Sequence, residues 1–99
     1  MVRRAKEMNV ERIKSLNLHS IEGIKKFYEI ASEECDKLNA CRTSYGEDAI
    51  FVMRSKFELG MMLGWAAPRG VRIKLEISPI TGRYVLVADG RFQFDGKDG

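Results

Sequence analysis

Between residues 20 and 38 apolar side chains return every three or four positions, at Ile24, Phe27, Tyr28, Ala31, Cys35 and Leu38. That period is the signature of a helix burying one stripe. Ser20 is a good N-cap, and Glu22 suits the positive end of the helix dipole. On the other side, Glu22 with Lys26, Lys25 with Glu29 and Glu33 with Lys37 are spaced four apart, the pattern of a solvated face. A shorter helix is expected over residues 10–16, where Val10, Ile13 and Leu16 recur every third position.

The segment 44–65 differs. Ser44-Tyr45-Gly46-Glu47 has the spacing of a capping box, and a third helix is predicted from there toward Trp65. Ile50, Met53, Phe57, Met61 and Gly64 form one stripe, whereas Val52, Leu59 and Leu63 project from nearly the opposite side. A helix apolar around most of its circumference must be covered around most of it. In so small a domain this leaves a remainder for a partner chain. A strand over 49–53 is the alternative, since short apolar runs do not settle the type. The run 54–59 continues without turn residues and favours helix.

Pro68 and Gly70 close the helical half. The period then becomes two: Val71, Ile73, Leu75 and Ile77 alternate with Arg72, Lys74 and Glu76, as in a strand with one wet face. After a loop at 78–82, residues 84–87 are apolar on both faces. Asp89-Gly90 is a hairpin dipeptide, and 91–94 reads as a short third strand. The expected fold class is α+β, two or three N-terminal helices packed on a C-terminal three-stranded antiparallel β-meander. It divides into a flexible basic start at 1–8, one domain at 9–94 and a flexible tail at 95–99.

Composition changes this picture little. With 99 residues, 44% of them hydrophobic and 31% charged, the chain suits one core that folds without disulfides or metals. The most apolar window, 57–67, is about half the length of a membrane span. Its basic start is not followed by an apolar run, unlike a signal peptide, so a cytoplasmic location with reduced thiols is expected. Cys35 and Cys41 on one continuous helix would lie about 9 Å apart, too far to bridge. The net charge of +3 is segmented, basic to residue 26, acidic over 27–41 and basic again over 65–91.

Catalytic signatures are missing: no Gly-rich phosphate loop, H-E-x-x-H, C-x-x-C or G-x-S-x-G occurs. One histidine, His19, and two cysteines are too few for a zinc site, and no metal or cofactor is expected. Cys35 reads as a small buried hydrophobe. A polar loop with Arg42, Ser44, Tyr45 and Glu47 is the candidate anion or ligand site. Gly60-x-x-x-Gly64 has small-residue spacing that suits close approach either to the sheet or to a symmetric partner helix.

Three functional expectations follow. The first is a non-catalytic binding module, a small accessory or inhibitory protein docking on a larger protein or nucleoprotein and able to pair as a homodimer. Its candidate contacts on the third helix are Arg54, Lys56 and Met62. Arg69, Arg72, Lys74, Arg83 and Arg91 would supply a basic rim. The second is nucleic-acid binding through a winged-helix-like arrangement or a basic sheet face carrying Arg72, Lys74 and Arg91. The third is a small enzyme using His19, Arg42, Tyr45 and Glu47.

Overall fold

The computed structural model describes residues 8–88. They form three helices, α1 (Asn9–Ile13), α2 (Ile21–Tyr45) and α3 (Ile50–Ala66), then a 3-10 turn (Ala67–Arg69) and two strands, β1 (Ile73–Ile77) and β2 (Tyr84–Ala88). The helices therefore precede an antiparallel pair of strands, an α+β arrangement. The third strand expected at 91–94, and its turn at 89–90, lie outside the described residues.

The first helix stops at Ile13, short of the expected 16, and buries Val10 and Ile13. A helix of five residues cannot hold itself. Its first amides are capped instead by Glu58 of α3, whose Oε2 accepts from the N–H of Asn9 at 2.6 Å and of Val10 at 3.3 Å.

Helix α2 starts as its sequence requires: the Ser20 hydroxyl accepts from the Gly23 N–H at 3.0 Å. Gly23 is needed there, because a Cβ would stand 1.8 Å from the Asn17 carbonyl oxygen. The buried stripe comprises Phe27, Ile30, Ala31, Cys35 and Leu38, joined by two polar residues, Glu34 and Asn39. Tyr28, expected in that stripe, is exposed. It lies at the lip of a shallow groove with Ser32, Tyr84 and Leu86. The expected i,i+4 pairs give way to Lys26–Glu29 and Lys37–Glu34, each three apart, and to Arg12–Glu33 between helices.

The capping box at 44–47 does not form. Ser44 and Tyr45 are the last residues of α2, which ends at Gly46 with φ +92°, a conformation that favours glycine. Helix α3 begins after Ala49 without a side-chain cap. The Glu47 carboxylate is engaged elsewhere, with Arg42, Lys56 and Tyr84. Residues 50–53 are helical, which settles the helix-or-strand alternative for them.

Val52, Ser55, Leu59, Met62 and Ala66 point inward from α3, spaced 3-4-3-4. The helix packs against α1 and α2 on this side. Past Gly70, which is left-handed at φ +98°, Val71 plugs the core. The strands pair from Ile73 opposite Ala88 to Ile77 opposite Tyr84. Ile73, Leu75 and Leu86 pack against the core while Arg72, Lys74 and Glu76 face outward, the alternation read from the sequence, except that Ile77 at the end of β1 is exposed. The sheet rests on the helices through β2 on α2 and β1 on α3.

Candidate protein-docking surface

Opposite its packed side, α3 presents a second 3-4-3-4 row: Ile50, Met53, Phe57, Gly60 and Gly64, with Met61 beside it. At 100° per residue these six positions fall within about 100° of the helix circumference. The row is open to solvent, with Ile50 65%, Met53 59% and Phe57 68% exposed. Tyr45 and Phe51, also exposed, pair at 5.1 Å between ring centroids beside the row's start. A groove of about 410 Å³ runs along it, lined by Cys41, Phe51, Met53, Arg54 and Phe57 among others.

The two glycines correct one expectation. A Cβ built on Gly60 or Gly64 meets nothing within 4 Å, so neither residue serves a close contact with the sheet. Glycine inside a helix costs about 0.5–1 kcal/mol relative to alanine. Nothing among the described residues offsets that cost.

The row's N-terminal end is fixed by an ionic cluster. Glu47, in the loop between α2 and α3, accepts from Arg42 Nε, from Lys56 Nζ at 2.9 Å and from the Tyr84 hydroxyl at 3.0 Å. Arg42 also donates to the Gly82 carbonyl at 2.6 Å and stacks over the Tyr84 ring at 4.9 Å. Donation from Lys56, Tyr84 and Arg42 holds the Glu47 carboxyl down at about 2. Hydrogen bonding to Glu47, and after it to Tyr84, raises the Lys56 ammonium. One carboxylate thereby ties the end of α2, the second turn of α3 and the first residue of β2. Of the predicted ligand loop, the fold brings Arg42 and Glu47 together in this tie. Ser44 is exposed outside it, and Tyr45 turns to Phe51.

His19 is exposed just ahead of α2, with roughly 30 Å of helix between it and Arg42. The set His19, Arg42, Tyr45 and Glu47 therefore does not assemble into one site.

Three buried polar residues escaped the sequence reading. Asn39 clamps the start of β2: its Oδ1 accepts from the Tyr84 N–H at 2.9 Å and its Nδ2 donates to the Tyr84 carbonyl at 3.0 Å. Glu34 Oε1 accepts from Asn9 Nδ2 at 2.7 Å, while Oε2 has no hydrogen-bond partner among the described residues. Glu58 caps α1. A signal for Asn39 was present, since it lies four residues beyond Cys35 along the buried stripe. Near Glu34, a groove of about 550 Å³ is lined by Asn9, Arg12, Glu33, Lys37, Arg54 and Glu58.

The candidate partner-contacting residues scatter. Met62 is wholly buried and belongs to the core, because its place in the 52-55-59-62-66 row points it at α1 and α2. Lys56 is held by Glu47. Arg54 is exposed at the border of the apolar row. Arg69 donates to the Trp65 carbonyl at 2.7 Å and stacks over the Trp65 ring at 4.3 Å. Arg72, Lys74 and Arg83 are exposed, with Lys74 paired to Glu76 at 3.2 Å, and Arg91 lies outside the described residues. For base readout α3 would need polar side chains outward, and its outward row is apolar.

Cys35 is buried and Cys41 half-buried, both as free thiols. Burial pushes the Cys35 thiol up; Asp36 adds to the shift and Arg83 opposes it. Among the described residues no three His, Cys, Asp or Glu side chains converge as a metal site, and no helix is long and apolar enough to cross a membrane. No family model, curated protein or solved structure matches this chain.

Proposed function

We propose that the chain is a non-catalytic binding module that works by association with another polypeptide through the outward face of α3. The observation that carries this reading is the joint exposure of Ile50, Met53, Phe57 and Met61 on a helix whose other side is fully packed. Taking about 150–250 Å² for each large side chain, that row with Phe51 and Tyr45 leaves on the order of 600 Å² of side chain in water. Such a patch is at the upper limit for a monomer surface. Covering it would contribute roughly 15 kcal/mol at 25 cal/mol per Å², from which losses of rotational and side-chain freedom subtract much of the total. Micromolar to nanomolar association is the range this supports.

Rigidity suits the role. The Glu47 tie and the Glu58 cap hold α3 to its neighbours, and the Asn39 clamp fixes β2 on α2, so the outward side chains of α3 are displayed on a preorganised helix. An accessory or inhibitory protein acts in this way, by occupying a surface without turnover.

The test is Phe57→Glu, which places a charge in the middle of the row without touching the core. Wild-type protein should bind an apolar fluorescent dye or associate in native mass spectrometry, and the variant should lose both while keeping its circular dichroism. Wild-type protein that neither binds dye nor associates would sink the reading.

A further inference from the structure

We infer that the polypeptide covering α3 is a second copy of this chain, packed antiparallel to the first across a two-fold axis at Phe57. The inference rests on the docking reading above and names the partner.

It follows from how bulk is distributed along the exposed row. Along the row itself the first half carries Ile50, Met53 and Phe57 and the second half Gly60 and Gly64, with open space over both glycines and the less exposed Met61 at the margin. A parallel copy would set large against large and void against void. Turned end for end about Phe57, the copy lays Ile50 over Gly64 of its partner and seats Met53 between Gly60 and Met61, and the reciprocal contacts form at the other end. A surface complementary to its own reverse is what an isologous two-fold interface requires.

Three further observations agree. The 3-4-3-4 spacing is that of a helix–helix seam, in which side chains of one helix seat between those of the other. Asp48, exposed just before α3, and Arg69, exposed just after it, put opposite charges at its two ends, which a reversed second helix brings to the same end of the pair. The opposed helix dipoles also attract. Finally, on the order of 600 Å² from each copy makes about 1,200 Å² in total, the lower limit of specific interfaces. The glycines thereby acquire a reason: a missing Cβ lets the partner's Ile50 and Met53 rest on backbone.

Sedimentation velocity across a concentration series tests this on the full chain. Wild-type protein should sediment at twice the chain mass, and Phe57→Glu as a monomer of unchanged helicity. Gly64→Ile should weaken the dimer by about tenfold or more. Adding Ile50→Gly to Gly64→Ile should restore most of that loss, because the large and small positions have only exchanged ends. A dimer that Phe57→Glu leaves intact, or one that the exchange fails to restore, overturns the antiparallel pairing. A wild-type monomer that binds the apolar dye, with binding lost in Phe57→Glu, overturns self-pairing and leaves the face for a foreign chain. A monomer that binds no dye overturns both readings.

Discussion

Replacing Asn39 by alanine should destabilise this protein more than any exposed change on α2. The carboxamide is buried and bonds both the N–H and the C=O of Tyr84. Alanine leaves the Tyr84 N–H without that partner and its carbonyl with only the weak Cys35 thiol donor, at about 1–3 kcal/mol for a buried group left unsatisfied and less for the carbonyl. The better helix propensity of alanine returns roughly 0.5 kcal/mol. A net loss of about 2–4 kcal/mol is expected, a large fraction of the roughly 5–15 kcal/mol that holds a small domain together. For a chain of this size that is a fall of roughly 10–25 °C in melting temperature. Urea titration followed by far-UV circular dichroism measures it. Asn39→Asp sharpens the test, because a carboxylate can accept from the Tyr84 N–H but sets a second oxygen against the Tyr84 carbonyl. Only the protonated acid restores the donor, so this variant's folded-state pKa is raised. Its stability is fully present below the ordinary carboxylate pKa and is lost as pH rises through the raised one. A cost for Asn39→Ala below about 0.5 kcal/mol, or an Asn39→Asp variant indifferent to acid, would refute the clamp.

Gly23→Ala should destabilise despite its helix propensity, since the new Cβ meets the Asn17 carbonyl, whereas Gly60→Ala should raise the stability of dissociated monomer by about 0.5–1 kcal/mol; chemical denaturation at low concentration compares them. Glu47 has its pKa lowered from 4.5 to about 2. Its ionic tie therefore contributes stability present above the ordinary value and lost as pH falls toward the folded one. Wild-type protein should lose stability across that acid window, and Glu47→Gln should show a shallower loss in pH-dependent melting. Cys35 should resist alkylation in native buffer, its buried thiol donating to the Tyr84 carbonyl at 3.4 Å. Cys41, half-buried, should react first, and both should react in denaturant, as peptide mass spectrometry would show.

If these devices act together, α3 is a stiff rail tied near its N-terminal end and packed along one side. Its N-terminal end depends on Glu47, an exposed charge cluster that salt screens, and its middle depends on Leu59 and Met62, which salt does not affect. High ionic strength should therefore loosen the Tyr84 corner before it loosens the docking row.

Much of the fold was legible because local rules agreed with it. Ser20 capped α2 as its side chain dictates, Pro68 and Gly70 closed the helical half, and the alternation from Val71 to Leu75 placed one face of β1 on the core. The apolar excess of α3 was legible too, since no sequence periodicity can hide two opposed rows on one helix. What the sequence left open was which row would face inward. Ile50, Met53, Phe57 and Val52, Leu59, Met62 are equally apolar, and only the positions of α1 and α2 decide between them. Tertiary packing also converted polar residues into structure. Glu47 became a tie between three elements instead of a capping-box residue, Glu58 capped a helix 49 positions away, and Asn39 bonded a strand 45 positions away. These roles depend on bonds between residues remote in sequence, and helical or strand periodicity carries information only about neighbours.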